Sequence, residues 1–243
     1  MANNTFSSFS GKNIVITGAS KGIGKAVAEA FAAKGATLYL CARNELALYN
    51  TVAILQTKYP ESIILAKAYD LSEKEQVAAF GKWVDQQCVP DILVNNAGQF
   101  LPGSIHNEEE GLLEKMMAIN LYSAYHLTRF LLPKMMLQKK GHVFNICSIA
   151  SLKAYTNGGS YSISKFALLG FSKNLREEMM PHGIKVTAVS PGAVLTDSWG
   201  NFDNSQQRIM EAADIANMIV AAASLSASAV VEDIVLRPLL GDL

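Results

Sequence analysis

The sequence predicts an α/β chain: a doubly wound, parallel β-sheet of about seven strands with helices on both faces. Three observations carry this. Short β-branched runs without polar alternation, such as Ile14-Val15-Ile16 and Ile92-Leu93-Val94, read as strands buried on both sides. Helix-forming stretches alternate with these runs along the chain, as crossovers between parallel strands require. The polar residues suited to chemistry fall at the C-terminal ends of strands or on the helix after each, and those ends line one edge of such a sheet. With 243 residues, half of them hydrophobic, one domain spanning 1–243 has material for a sizeable core.

Lys12 to Thr17 is the first strand. It runs into Gly18-Ala-Ser20-Lys21-Gly22-Ile23-Gly24, and Ala26 to Lys34 is a helix stopped by Gly35. Glycines in a strand-to-helix turn let the backbone approach a phosphate, and the helix N-terminus offers free N–H groups and partial positive charge. The spacing is G-x-x-x-G-x-G. Such a turn can be purely structural; the flanking strand and helix favour a dinucleotide. Thr37 to Ala42 is the second strand. An NAD site would carry an acid near its end, but Cys41-Ala42-Arg43-Asn44 stands there. Arg43, with Lys21 as a second cation, suits the 2′-phosphate of NADPH; as ordinary surface cations they would mean nothing.

Asn44 to Lys58 is the next helix, ended by Tyr59-Pro60. Ile63 to Ala68 is the third strand, followed by Asp70-Leu71. Ser72 to Cys88 is a helix, with Ser72 and Glu75 spaced as a capping box. Ile92 to Val94, the fourth strand, runs into Asn95-Asn96-Ala97-Gly98, which fits a ligand crevice or a plain turn. Glu108-Glu109-Glu110 opens a long helix reaching about Leu137, its acids and Lys139-Lys140 read as solvated ends. Asn120 lies inside that helix among Met116, Met117, Ile119 and Leu121, so its amide needs a partner. Pro133 is placed to kink the helix. His142 to Cys147 is the fifth strand and delivers Ser148. Gly158-Gly159 precedes the helix of Tyr161 and Lys165, which Pro181 to Gly183 closes. Lys185 to Val189 is the sixth strand, ending in Ser190-Pro191-Gly192-Ala193-Val194-Leu195-Thr196. Residues 197–211, with Trp199 and Phe202, form a loop or short helices over the site. Ala212 to Ala223 is the last helix and Val230 to Leu236 the last strand.

Lysine plus arginine equal aspartate plus glutamate at 21 each, so the chain has no electrostatic footprint for nucleic acid or an anionic membrane. The start, MANNTFSSFSGKN, lacks the pattern of a signal peptide. No uncharged apolar stretch is long enough to span a bilayer. Cys41, Cys88 and Cys147 are odd in number and far apart, and His106, His126, His142 and His182 are scattered. Neither a disulfide framework nor a metal site is expected, and the expected location is the cytoplasm.

Of eight tyrosines only Tyr161 has a lysine four residues on, so on a helix Tyr161 and Lys165 share one face. A fixed cation beside a phenol lowers its pKa and makes it useful for proton transfer. Alone, the pair equally describes an exposed polar couple.

In Thr17-Gly18-x-x-x-Gly22-Ile23-Gly24, Asn95-Asn96-Ala97-Gly98, Asn120, Ser148, Tyr161-x-x-x-Lys165 and Pro191-Gly192, the chain resembles the short-chain dehydrogenase/reductase family over nearly its whole length. The resemblance implies a single Rossmann domain and NADPH-dependent reduction of a small-molecule carbonyl. Tyr161 would then be the general acid. Lys165 would lower its pKa and grip the nicotinamide ribose, Ser148 would hold the substrate oxygen, and Asn120 would hold a relay water. Gly18, Ser20, Lys21, Gly22, Ile23 and Gly24 would cradle the pyrophosphate. Asp70 and Leu71 would flank the adenine, Asn96, Ala97 and Gly98 the adenosine side, and Pro191, Gly192, Val194 and Thr196 the nicotinamide. A homodimer or homotetramer is expected by the same resemblance. Met116, Met117, Met135 and Met136 offer apolar surface for it, or simply pack the core.

The C-terminal third is similar to bacterial sepiapterin-reductase-like members. Trp199 would be a substrate wall or a loop anchor, and Asp197, Asp203 and Asp242 are candidate carboxylates for a pterin. Two rivals stand beside this reading. A 3-oxoacyl-[acyl-carrier-protein] reductase would use Lys139 and Lys140 to receive an acidic carrier, but the chain lacks the Asn-Gly-Gly type ending of those enzymes. A non-catalytic NADPH-binding regulator would not need Ser148, Tyr161 and Lys165 intact.

Overall fold

The computed structural model describes residues 9–200 and 202–242. Residues 1–8, on which much of the expectation of a leaderless start rests, lie outside the described residues. In chain order the elements are β1 Asn13–Thr17, α1 Gly22–Ala32, β2 Thr37–Ala42, α2 Glu45–Lys58, β3 Ile64–Ala68, α3 Lys74–Gln87 and β4 Ile92–Asn95. Then come α4 Leu112–Met117, α5 Ser123–Gln138, β5 Gly141–Ile146, α6 Gly159–Met179, β6 Ile184–Pro191, β7 Val194–Leu195, β8 Met210–Glu211, α7 Ala212–Ala223 and β9 Asp233–Leu236.

Seven strands form one parallel sheet in the order β3-β2-β1-β4-β5-β6-β9. The lack of alternation in β1 now has its physical reason. Ile14 and Ile16 are fully buried in a layer with Val27 and Phe31 of α1 and with α7. Val15, between them, is fully buried in the opposite layer with Phe80 of α3 and Leu127 and Leu131 of α5. Both faces are covered, so the strand is apolar throughout. The strand order reverses between β1 and β4, and a doubly wound sheet opens a crevice at that point.

The long helix expected from Glu108 is not one helix. Gly111, at φ +80°, precedes α4 at Leu112, and a five-residue π-helical turn, Ala118–Tyr122, separates α4 from α5. Asn120 is buried inside that turn. A π turn widens the helix locally and re-aims its side chains, and such turns are frequent at functional sites. Pro133 lies inside α5.

The capping box expected at Ser72 does not form either. The Ser72 hydroxyl and N–H both donate to Asp70 Oδ1, at 2.7 and 3.0 Å, so Ser72 closes a turn on the preceding acid, and α3 starts two residues later. The segment 197–211 holds a short 3₁₀ turn at Asp197–Trp199 and ends in β8, which returns to pair with β7, Val194 beside Met210. Met116 and Met135 are fully buried in the core, so they offer no surface for assembly. Among the described residues no helix is long and apolar enough to cross a membrane, and no cluster of side chains is gathered for a metal.

Candidate active site

The turn after β1 is shaped by what packs on it. Thr17 Oγ1 accepts the N–H groups of Asn96 and Ala97 at 3.0 and 2.9 Å. Asn96 Nδ2 in turn donates to the carbonyls of Thr17 and Gly18 at 2.9 and 3.1 Å. The residues after β4 therefore lock the glycine turn. Gly18 has φ +67°, and a Cβ there would sit 2.7 Å from Asn96 Nδ2; a Cβ on Gly24 would collide with the Gly18 carbonyl. Ser20 is held through its carbonyl, which accepts from Thr51 Oγ1 at 3.0 Å. Ile23 packs against the core. The N-cap of α1 is Lys21, with no side-chain cap and no acid in the first turn. The first N–H groups of α1 thus meet no competing carboxylate, which is what an anion needs at a helix N-terminus. Gly22 faces Thr196: a Cβ on it would lie 3.1 Å from the Thr196 methyl.

At the ends of β2 and β3, Arg43 stands 3.5 Å from Asp70 Oδ2 and is largely exposed. Burial works to raise the Asp70 carboxyl, but bonds from Ser72 and the charge of Arg43 outweigh it, and its pKa falls. The Leu71 side chain is buried beside Val77 and Phe80, so what it offers a ligand is backbone.

Strand β5 delivers Ser148, which caps a 3₁₀ turn at Ile149–Ser151: its Oγ accepts the Ala150 N–H at 3.1 Å. Tyr161 is the third residue of α6, and Lys165 follows one turn later. Lys165 is buried, donates to the Ile146 carbonyl at 2.8 Å, and lies 5.9 Å from the centre of the Tyr161 ring. Burial pushes the Lys165 amine down to about 8. It pushes the Tyr161 phenol up to about 12, against a hydrogen bond with the Ser148 hydroxyl that works downward. The expectation that Lys165 draws the phenol below its ordinary value is therefore not met in this geometry. Desolvation of the phenol wins, and the ammonium is directed at a carbonyl.

Asn120 Oδ1 accepts the Gln99 N–H at 2.8 Å, and its Nδ2 donates to the Gln99 carbonyl at 3.0 Å and to Ser164 Oγ at 2.9 Å. Its amide partners are thus the backbone of the loop after β4 and a hydroxyl of α6. Gly98 has room for nothing larger, since a Cβ there would lie 2.9 Å from Asn120 Oδ1 and 3.5 Å from Lys165 Nζ.

The short chain dehydrogenase family matches residues 12–207. The chain belongs to this family. An uncharacterized oxidoreductase of Staphylococcus epidermidis is 31% identical over 228 residues, 93% of this chain and 97% of its own. A metagenomic short-chain oxidoreductase, solved in complex with NADP, superposes with a TM-score of 0.84 at 31% identity, covering 96% of this chain and 99% of the other. L-sorbose reductase from Gluconobacter frateurii, solved with NADPH and L-sorbose, gives 0.86 at 28% identity, covering 94% and 96%.

Within this short chain dehydrogenase, the remaining expectations separate. Gly192 donates its N–H to the Leu236 carbonyl at 2.8 Å, after Pro191 ends β6. A Cβ on Gly192 would lie 2.9 Å from Asp242 Oδ1, so of the three candidate carboxylates Asp242 borders the strand-end crevice, already paired with Arg237 at 2.7 Å. Asp197 and Asp203 are exposed. Trp199 is partly buried, its ring 5.2 Å from that of Phe202. Lys140 pairs with Asp91 at 3.3 Å, beside Lys12. Asp91 precedes β4 and Lys140 precedes β5, so Lys139 and Lys140 sit at the N-terminal edge of a parallel sheet, away from the site. They cannot serve as a landing for a carrier there. Sequence reasoning missed Gln99, Phe100 and Glu108, and it quoted Thr17 in the glycine motif without giving it a task. The Phe100 ring stands edge-on to Tyr161 at 4.8 Å. Thr17 was legible as the last residue before the glycines; the other three announce themselves only through distances.

Proposed function

We propose that this enzyme is an NADP(H)-dependent carbonyl reductase in which Tyr161 is the general acid. The observation that carries the reading is the set of Ser148, Tyr161 and Lys165 gathered beyond the strand ends, with Ser148 hydrogen-bonding the phenol and Lys165 one helical turn away. A phenol is protonated at neutral pH, as a proton donor must be. NADPH over NADH is supported by Arg43 at the end of β2, where no acid stands, and by structural relatives solved with NADP and NADPH.

The residues present fit the cofactor. The cradle of Gly18, Gly22 and Gly24 is space a Cβ would fill, and the uncapped start of α1 suits a pyrophosphate. Arg43 and Lys21 would meet the 2′-phosphate. Asp70 and the Leu71 backbone would border the adenine, and Asn96, Ala97 and Gly98 the adenosine side. Lys165 would reach the nicotinamide ribose, and Pro191, Gly192, Val194 and Thr196 its amide end. When bound, the cofactor supplies the hydride. Ser148 and Tyr161 then hold the carbonyl oxygen as negative charge grows on it, and Tyr161 delivers the proton. Asn120 keeps Gln99 and α6 in register, next to the place a relay water would take.

The substrate we favour is a small diffusible ketone or vicinal dicarbonyl, sepiapterin-like in being flat. Phe100 beside Tyr161 would supply one apolar wall, and Trp199, packed on Phe202, would supply another if it faces the substrate rather than anchoring its loop. Two or four copies would assemble through exposed aromatic side chains of the π turn, α5 and α6, namely Tyr122, Tyr125 and Phe166. The test follows NADPH consumption with sepiapterin or a vicinal diketone in one reaction and an acetoacetyl thioester in another. The reading expects turnover of the diffusible carbonyl and its loss in Tyr161→Phe. Turnover of the thioester alone would move the enzyme to acyl-chain reduction. Full biological effect of Tyr161→Phe would make it a regulator.

A further inference from the structure

We infer that Glu108 is a positioning residue for Tyr161: from the loop between β4 and α4, its carboxylate caps the start of α6 and joins the two walls of the site. The inference rests on Tyr161 being the proton donor.

Helix α6 opens on Gly158 and Gly159, so it carries no capping side chain of its own. The Ser160 N–H is one of the donors that a helix start leaves without an intrahelical partner, and Ser160 is buried. Glu108 Oε1 accepts that N–H at 2.8 Å, and Glu108 Oε2 accepts the Ser160 hydroxyl at 2.5 Å. The cap comes from 52 residues away in the chain rather than from the N-cap position. A carboxylate there also meets the positive end of the helix dipole. Two glycines make the room. A Cβ on Gly159, which has φ +32°, would collide with Glu108 Oε1, and one on Gly103 would lie 2.7 Å from Glu108 Cγ.

The same loop is fastened by four further contacts. Gly103 N donates to the Asn157 carbonyl at 3.1 Å, and Ser104 Oγ donates to Asn157 Oδ1 at 2.5 Å. Its first residues place Gln99 on Asn120 and the Phe100 ring on Tyr161. Tyr161 follows Ser160 directly. Releasing Glu108 therefore frees the helix end that carries the phenol and the loop that carries the ring packed on it. Glu109 and Glu110 are exposed and make no such contact, so a charge run that reads as one solvated stretch holds one residue with a separate task.

The experiment compares wild type with Glu108→Ala, Glu108→Gln, Ser160→Ala and Tyr161→Phe, using a vicinal diketone and saturating NADPH. NADPH affinity is measured separately by fluorescence. Glu108→Ala is expected to lower kcat on the order of thirtyfold to a hundredfold, the scale of a misplaced catalytic group. NADPH affinity should stay within about twofold, because the glycine turn is untouched. Glu108→Gln should recover most of the loss, since its carbonyl still accepts the Ser160 N–H. A Glu108→Ala enzyme with wild-type kcat and only a lower melting temperature would overturn the inference. So would joint loss of kcat and NADPH binding that Gln does not repair. If Glu108→Ala fails to fold, Ser160→Ala decides: a kcat drop of about threefold or more with normal NADPH affinity supports the role, and wild-type kcat refutes it. Absence of Tyr161-dependent turnover in wild type sinks the functional reading, and this inference with it. A dead Tyr161→Phe beside a normal Glu108→Ala sinks the inference alone.

Discussion

Arg43→Ala is the substitution that most directly tests cofactor choice. Arg43 holds only an exposed contact with Asp70 at 3.5 Å, and such pairs are worth about 0–1 kcal/mol. Turning the guanidinium toward a 2′-phosphate therefore costs little. A charge-assisted hydrogen bond to a phosphate contributes roughly 1.5–3 kcal/mol. The difference, roughly 1–2 kcal/mol, predicts a fall of about five- to thirtyfold in kcat/KM for NADPH. NADH, lacking the phosphate, should change by less than about twofold. Removing Arg43 also leaves the Asp70 carboxylate without its counter-charge, which adds to the penalty against a phosphate. Arg43→Asp goes further, because an acid at the end of β2 can accept from a ribose 2′-hydroxyl, so it should turn the preference toward NADH. The assay is steady-state kinetics with both cofactors on one carbonyl substrate. An unchanged NADPH-to-NADH ratio in Arg43→Ala would refute the assignment and leave Lys21 to meet the phosphate.

Three further outcomes follow from the packing. His142 is buried against Phe144, and its Nε2 lies 2.7 Å from Thr187 Oγ1, whose proton goes to the Val231 carbonyl at 2.6 Å. Nε2 must then carry the donated hydrogen, and burial pushes the imidazole down to about 3. Below its ordinary value near 6.5 the unfolded chain takes up a proton the folded chain refuses, so stability falls as pH drops from about 6.5 toward 3. The contribution of this one group is about 1.4 kcal/mol lost at about pH 5.5, with a ceiling near 5 kcal/mol. Urea unfolding across that range should show it, and His142→Gln should flatten the slope; an equal slope in both would refute it. Gly24→Ala should weaken NADPH binding by about tenfold or more, because its Cβ collides with the Gly18 carbonyl. Gly170→Ala, whose Cβ meets nothing within 4 Å, should leave binding unchanged and raise the melting temperature slightly.

The sheet was legible because burial on both faces writes itself into composition. Ile14, Val15 and Ile16 serve two different layers, and only an apolar run satisfies both. The site's location was legible for a topological reason: in a parallel sheet every strand end that carries a polar residue lies at one edge. What the sequence could not show was competition between partners. Ser72 had the spacing of a cap, but Asp70, two residues back, took both its N–H and its hydroxyl. Asn120 called for a partner without naming one, and the π turn that turns it to Gln99 and Ser164 has no signature in its neighbours' hydropathy.

The tyrosine and lysine of α6 give the sharpest instance. A four-residue spacing places them on one face, and from there proximity of charge alone would argue for an acidified phenol. Three dimensions add two facts that spacing lacks. The Lys165 amine is drawn to the Ile146 carbonyl, and the phenol is sunk where its anion would be poorly solvated. The two shifts then run opposite to the naive pair, the amine down and the phenol up. For the proposed reduction that order has a cost. A phenol that resists ionisation keeps its proton through the neutral range but is a weaker acid toward any acceptor, so in the proposed reaction its donation relies on the negative charge that grows on the substrate oxygen.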